Sequence, residues 1–482
     1  MLVQIAGTPQ PSRGKICLVT PPSGFLLDQR VFVSLGILKI GAVLEQAGWE
    51  VDHLDLTGVA NYEEAAADYR GAETFAITAT TPQIPAAVRI KKVLRGKTIL
   101  GGPHPTLVHA AVKRGNQRAL AALDFLMQNF DTVVAGDGEK SIFRAIREYG
   151  LIDADDPKSD LWVSSKEFSE SPLPARHLVD MPSYHYTVDG EKATSAVFQL
   201  GCPFECGFCG GRFSPMLRRI RSRTADSVVA EMLAIHDKYG FRGLMAYDDE
   251  LNVNKGLVDL CRKIKSTGID WRLRGFVKAE LFNDEQAEAM YDAGFRWLLC
   301  GFESAHPRIL KNINKKASLE DNTNMLRTAH KHGLKVKALM SFGHPGESEE
   351  TILATRDWLL AEKPDDFDCT VITTYPGTPY WDNAVLVKEP VYRYEFNGDA
   401  LYMENTDPNA EVGYYKGKPG EYKAFVWTDF LTAEQLVNLR DAVEKEVRGK
   451  LNIPYPTAGD AILFEHSMGQ RLPESILKTA RL

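Results

Sequence analysis

The feature that most limits the fold is a double series of alternating strand and helix signals, split by a stretch rich in turn residues. "KICLVT" (Lys15 to Thr20) is a continuous apolar run halted by Pro21-Pro22, the pattern of a buried strand. "LGILKIGAVLEQAG" then carries apolar residues at helical spacing and ends on Gly48. "EVDHLDL" alternates like a strand, "TFAITATT" is a third, "KTILGG" a fourth and "DTVVAGDGE" a fifth, with helices through "AAVRIKKVL" and from Glu139. Strand and helix repeated with short links imply a parallel sheet covered on both faces, so residues 1–149 are expected to form a doubly wound, Rossmann-like unit. Such sheets bind ligands at the carboxyl ends of their strands. Two glycine-rich exits lie at that edge: Gly101-Gly102-Pro103-His104 and Gly136-Asp137-Gly138-Glu139. Either the glycines admit a bulky ligand close to the backbone, or they only make tight turns.

Residues 150–192 contain "DADDPKSD" and "SESPLPARHLVDMPSY", polar and Pro-rich as an interdomain linker should be. A second alternating series occupies 193–389. Strands are expected at 195–200, 243–247, 271–276, 297–301, 335–342 and 367–373, and helices at 225–239, 255–266, 284–293, 319–332 and 349–362. Six β/α units make a partial (β/α)6 barrel, in which chemistry gathers at the strand carboxyl ends. Residues 390–482 lose the alternation and are expected to form a small α+β extension. There "YRYEFNGDALYMEN" and "GYYKGKPGEYKAFVWTDF" are aromatic, and "TAEQLVNLRDAVEKEVRGKL" is an amphipathic helix with Thr432 as cap and Glu434 close behind. The aromatics either cover the open barrel mouth or form the core of the extension.

Three of the seven cysteines, Cys202, Cys206 and Cys209, crowd into "GCPFECGFCGG" (Gly201 to Gly211), directly after the first strand of the second series. An odd trio cannot pair internally. Zinc sites usually supply four ligands in two separated pairs, so the loop points to a metal centre lacking a fourth protein ligand. The other four, Cys17, Cys261, Cys300 and Cys369, sit singly among apolar neighbours and are expected in the core. A formal net charge of −7 argues against general nucleic-acid binding, and no run of eighteen apolar residues predicts a membrane span. The start shows no apolar segment of signal-peptide length, so a cytoplasmic protein with reduced thiols is expected.

With this loop the second series resembles the radical S-adenosylmethionine (SAM) superfamily. "RIRSRTADSVVAEM", "YDDELNVN", "GFESAHPRIL", "SFGHPGESEETI" and "TYPGTPYW" follow it in the order of such barrels. The resemblance implies that three thiolates hold a [4Fe-4S] cluster and leave one iron for the amino and carboxylate groups of SAM, which is split to a 5'-deoxyadenosyl radical. It sets Phe208 near the adenine, with Gly210, Asp248, Glu303, Ser304 and Phe342 as further SAM contacts. Asp248 or Asp249 could instead cap a helix, and Glu303 could pair with a nearby base.

The first series resembles the cobalamin-binding domain that precedes many of these barrels, on "LGILKIGAVLEQAGWEVDHLDL", "TATTPQ", "LGGPHPT" and "VVAGDGE". Thr80, Gly101, Gly102, Pro103, His104, Gly136 and Glu139 are the implied cobalamin contacts. The Asp-x-His-x-x-Gly motif that supplies histidine to cobalt elsewhere is absent, so His-off cobalamin is expected. His104 is a candidate cobalt ligand, but is expected rather to shape the turn or touch the cofactor's tail.

The combination implies a methyltransferase. One SAM methylates cobalamin, a second yields the radical, and an unactivated carbon or phosphinate centre takes the methyl group. The alternative is a cyclase or ring-rearranging enzyme with no net methyl transfer. A simple iron–sulfur carrier needs a fully ligated cluster, and no fourth cysteine lies near the trio. The implied partners are a small-molecule or natural-product intermediate as substrate and an electron donor such as flavodoxin or ferredoxin, with neither nucleic acid nor membrane.

Overall fold

The structure is a computed structural model that describes residues 13–23, 29–410 and 423–454. Residues 24–28 and the tyrosines of "GYYKGKPGEY" lie outside the described residues. The first sheet has six parallel strands: β1 (Lys15–Thr20), β2 (Glu50–Asp55), β3 (Thr74–Thr78), β4 (Lys97–Gly101), β5 (Thr132–Gly136) and β6 (Gly150–Ala154). Their order is β2-β1-β3-β4-β5-β6. Alternate residues of β1 serve opposite faces. Ile16 and Leu18 pack with Leu38 and Ile142 of helices Leu35–Gln46 and Gly138–Ala145. Cys17 and Val19 pack with Ile84 and Leu126 of helices Ile84–Val93 and Gln117–Asn129. The strand order reverses between β1 and β3, so the ligand crevice of this sheet opens at their carboxyl ends.

Residues 150–192, expected to be irregular, supply β6, helix Ser165–Glu170 and the start of the second sheet. Strand β6 escapes sequence reading because "GLIDA" is short and only Ile152 and Ala154 of it are buried. It fits beside β5 through Gly136, whose φ is 101° and whose Cα faces the backbone of Ala154 and Asp155 with no room for a Cβ. Gly136→Ala is expected to lower stability by about 1–3 kcal/mol, read as a lower urea midpoint at unchanged slope.

The second sheet contains β7 (Thr187–Val188), β8 (Glu191–Ala196), β11 (Gly243–Ala246), β12 (Arg272–Phe276), β13 (Phe295–Glu303), β14 (Lys335–Phe342) and β15 (Asp366–Val371). Between β8 and β11 a small antiparallel ribbon pairs β9 (Gln199–Leu200) with β10 (Arg221–Ser222). Six parallel strands, β8 and β11 to β15, form the partial (β/α)6 barrel, and helices Ala225–Tyr239 and Glu349–Glu362 fall where the periodicity places them. The strand expected at 195–200 stops early. Arg223 takes the carbonyl of Val197 (3.0 Å) and Asp248 takes the N–H groups of Phe198 and Gln199 (2.7 and 3.1 Å), so the chain leaves the ladder there.

The C-terminal extension has an antiparallel sheet of β16 (Val385–Lys388), β17 (Val391–Phe396), β18 (Asp399–Glu404) and β19 (Val426–Thr428), then helix Ala433–Leu451. Thr432 caps the helix, but Gln435, not Glu434, completes the capping box. The helix covers the free edge of β15. The Cys369 N–H donates to Glu444 (2.8 Å) and the Cys369 carbonyl accepts from Arg440 (2.7 Å), which consumes backbone groups that would otherwise be open to another strand. Among the described residues no helix is long and apolar enough to cross a membrane.

Candidate active site

The cysteine loop is held on several sides. The Cys202 N–H donates to the Leu217 carbonyl (3.0 Å), Gly207 N–H to Ile313 (2.8 Å) and Gly211 N–H to Gly377 (3.1 Å). The Gly207 carbonyl accepts from Tyr380 N–H (3.0 Å). A Cβ at Gly210 would come within 2.9 Å of Tyr375, so that ring lies directly on the loop. Cys206 packs against Ile309 and Ile313 of helix Pro307–Ile313. Sequence reading missed this helix because its seven residues complete fewer than two turns.

All seven cysteines are free thiols, and Cys17, Cys261, Cys300 and Cys369 are fully buried in the core. Burial raises the pKa of each loop thiol, that of Cys209 to about 12, so metal binding must displace protons. Among the described residues no three His, Cys, Asp or Glu side chains converge on one ion. A four-iron cluster asks instead for one thiolate per iron, and three thiols on one loop fit that demand.

Behind the loop the ends of β13 and β14 form a buried chain of polar contacts. Glu303 has a φ of 62° at a register shift that ends β13. It accepts from Lys315 Nζ (3.1 Å) and Ser341 Oγ (2.7 Å). Ser341 also meets His344 Nε2 (2.7 Å), and His344 Nδ1 reaches the Tyr380 hydroxyl (3.3 Å). Burial lowers the His344 pKa to about 3, so its ring is neutral. Phe208 packs edge-on against that ring, with centroids 5.3 Å apart. The cationic partner foreseen for Glu303 is thus Lys315.

Two neighbouring aspartates differ sharply. Both oxygens of Asp248 accept backbone N–H groups from the exit of β8, and burial raises its pKa to about 8. Asp249 is exposed and forms no hydrogen bond or ion pair with the described residues; desolvation by the surrounding protein raises its pKa while the Arg212 charge pulls it down. Its charge also acts on Cys202 and Cys209. Arg212, Lys315 and Tyr375 were not singled out from sequence, and Asp249 was named only as a helix cap. The triple acid "DDE" after an apolar strand and the arginine in "CGGRF" were the available signals. Ser304 accepts from His306 N–H (3.1 Å), and Phe342 is a fully buried core residue.

At the edge of the first sheet, Thr80 donates through N–H and Oγ1 to Gln83 (2.9 Å each). His104 is fully buried. Its Nε2 meets Asn409 Oδ1 (3.1 Å), so Nε2 is assigned the proton, and Nδ1 accepts from Thr81 Oγ1 (3.0 Å). Both ring nitrogens are therefore engaged. Gly101 ends β4, and Gly102, with a φ of 103°, precedes helix Pro103–Lys113. The Gly136 N–H donates to Thr106 Oγ1 (2.9 Å). Glu139, in the first turn of its helix, has a pKa raised by burial and by the charge of Asp137.

The two sets of strand ends meet. A pocket of about 180 Å³ is lined by Thr80, Thr81, Pro82, Pro103 and Leu107 of the first sheet and by Thr373 and Tyr375 after β15. Asp137 forms a buried ion pair with Arg221 (2.6 Å), just past the cysteine loop. Arg118 lies on the Trp381 ring (3.9 Å) and donates to the Trp381 carbonyl, while Asn116 donates to that of Asp382 (3.0 Å). Segment 375–382 therefore touches the cysteine loop on one side and the first sheet's helices on the other.

Residues 196–359 match the radical SAM superfamily and residues 30–142 the B12 binding domain. An uncharacterized methyltransferase of Pyrococcus horikoshii is 29% identical over 328 residues, 64% of this chain and 68% of that protein. The bacteriochlorophyllide d C-12(1)-methyltransferase of Chlorobaculum tepidum is 25% identical over 460 residues, covering 92% of this chain and 91% of its own. The radical SAM methyltransferase TsrM of Kitasatospora setae, solved with cobalamin and a [4Fe-4S] cluster, shares the fold at a TM-score of 0.62 with 19% identity, over 81% of this chain and 82% of its own. With a three-cysteine loop on the barrel's carboxyl face and a B12-binding sheet docked against it, the chain belongs to the cobalamin-dependent radical SAM superfamily.

Proposed function

We propose that this chain is a methyltransferase acting on an unactivated carbon or phosphinate centre of a small molecule. One observation carries the reading: the strand ends of the two sheets share a pocket lined by Pro103 on one side and by Thr373 and Tyr375 on the other, and the Tyr375 ring lies on the cysteine loop at Gly210. When bound, a [4Fe-4S] cluster, SAM and cobalamin would supply a carbon radical and a transferable methyl group. Cys202, Cys206 and Cys209 would hold the cluster, with Gly210 giving close backbone approach. Phe208, backed by neutral His344, offers an aromatic wall for an adenine. The unpaired carboxylate of Asp249 suits the SAM ammonium, while Asp248, its oxygens already engaged, holds the strand exit. Glu303, fixed by Lys315 and Ser341, would accept from ribose hydroxyls.

On the opposite side Thr80, Gly101, Gly102, Pro103, Gly136 and Glu139 would receive cobalamin. His104 has both nitrogens engaged, which favours a cobalt without histidine. The same reading takes an electron donor such as flavodoxin or ferredoxin and a cytoplasmic setting. Methyl-deuterated SAM tests it. Expected products are 5'-deoxyadenosine, S-adenosylhomocysteine and a product whose added methyl carries deuterium, all by mass spectrometry. Deoxyadenosine with neither S-adenosylhomocysteine nor label would replace methyl transfer by cyclisation or rearrangement.

A further inference from the structure

Arg212 lies three residues beyond Cys209 and is only 5% exposed. Its Nη1 donates to the Cys202 carbonyl (3.2 Å) and to that of Phe204. Its Nε and Nη2 both donate to the Gly210 carbonyl (3.3 Å each). One guanidinium thus gathers carbonyls from both ends of the cysteine loop. No carboxylate forms an ion pair with it among the described residues. A buried cation without such a partner is costly unless other negative charge lies close by. Besides Asp249, the groups whose negative charge acts on it are Cys202, Cys206 and Cys209, thiols that become thiolates on metal binding. A planar fork of five donors can hold several carbonyls at once, which an ammonium on a flexible stem cannot do as well.

We propose that Arg212 is a positioning residue for the metal centre, bracing the loop so that its thiols diverge correctly and supplying the buried positive charge that favours the cluster's reduced state. This rests on the cluster reading of the loop. The test uses the full chain, reconstituted anaerobically with iron and sulfide, as wild type, Arg212→Gln and Arg212→Lys. Iron per chain, loss of iron to a chelator, and the reduced fraction in a mediated redox titration are measured, with circular dichroism and cobalamin binding reporting the rest of the fold.

At the potential that half-reduces wild type, Arg212→Gln is expected to show a reduced-to-oxidised ratio about tenfold lower or more, because a nearby charge is lost. It should also lose iron several-fold faster. Arg212→Lys keeps the charge without the fork, so its reduced fraction should return towards wild type while its iron loss stays fast. Wild-type poise and wild-type iron retention in Arg212→Gln would overturn the proposal. Should that variant not fold, wild-type iron retention in Arg212→Lys overturns it. A wild type that takes up no cluster would instead remove the reading of the loop itself.

Discussion

Cys206→Ala is expected to leave a chain that folds but holds no competent cluster and forms no 5'-deoxyadenosine from SAM. Cys206 is the most enclosed of the loop thiols, seated between Ile309 and Ile313, and no fourth cysteine stands beside it to substitute. Three thiolates are the least that can hold a four-iron cluster with one iron open. The expected effect is total, read as iron per chain and as deoxyadenosine by mass spectrometry after anaerobic reconstitution. Cys261→Ala is the control. Cys261 is fully buried in helix Leu257–Lys265, so its removal should cost packing and leave iron uptake intact. Full deoxyadenosine production by Cys206→Ala would sink the assignment of the loop.

Glu231→Gln should cost about 3–5 kcal/mol of stability, because it leaves two buried arginines without their carboxylate. Glu231 pairs with Arg176 (2.7 Å) and with Arg223, and all three are nearly inaccessible. Arg176 comes from the segment between the two sheets and also donates to the Ser195 carbonyl (2.8 Å). Arg176 therefore ties that segment to the first barrel strand, and through Glu231 to helix Ala225–Tyr239. Burial pushes its pKa up, but Arg176 and Arg223 pull it further down, so the folded value lies below the ordinary 4.5. A depressed folded pKa gives stability that is complete above about pH 4.5 and is lost as pH falls through the folded value. Urea midpoints at neutral and acid pH measure both claims. An unchanged midpoint at neutral pH in Glu231→Gln would show that the triad is energetically idle.

The cysteine loop and the alternation of elements were open to sequence reading because each is a local pattern. A helix such as Glu349–Glu362 displays several turns of periodicity, and β14 is eight residues long and mostly apolar. Elements without such a run were invisible: β6 has two buried residues, and Pro307–Ile313 is too short to establish a period. The choice between Asp248 and Asp249 was equally out of reach. The two are adjacent and chemically identical, and only the backbone amides of Phe198 and Gln199 distinguish them.

By itself the sequence determined two sheets of different kinds, a three-thiol loop at the exit of the second, and glycine-rich exits in the first. These follow from periods of two and 3.6 residues and from the few residue types that bind iron or permit unusual backbone. Only the tertiary structure decided that the two sets of strand ends share one pocket, that His104 has no free nitrogen, and that Arg212 bridges the two ends of the loop. The His104 to Asn409 bond spans 305 residues, and the Asp137 to Arg221 pair spans 84. Periodicity reports that a face is buried but carries no record of the distant partner that buries it, so contacts at such separations exist only once the chain has closed on itself.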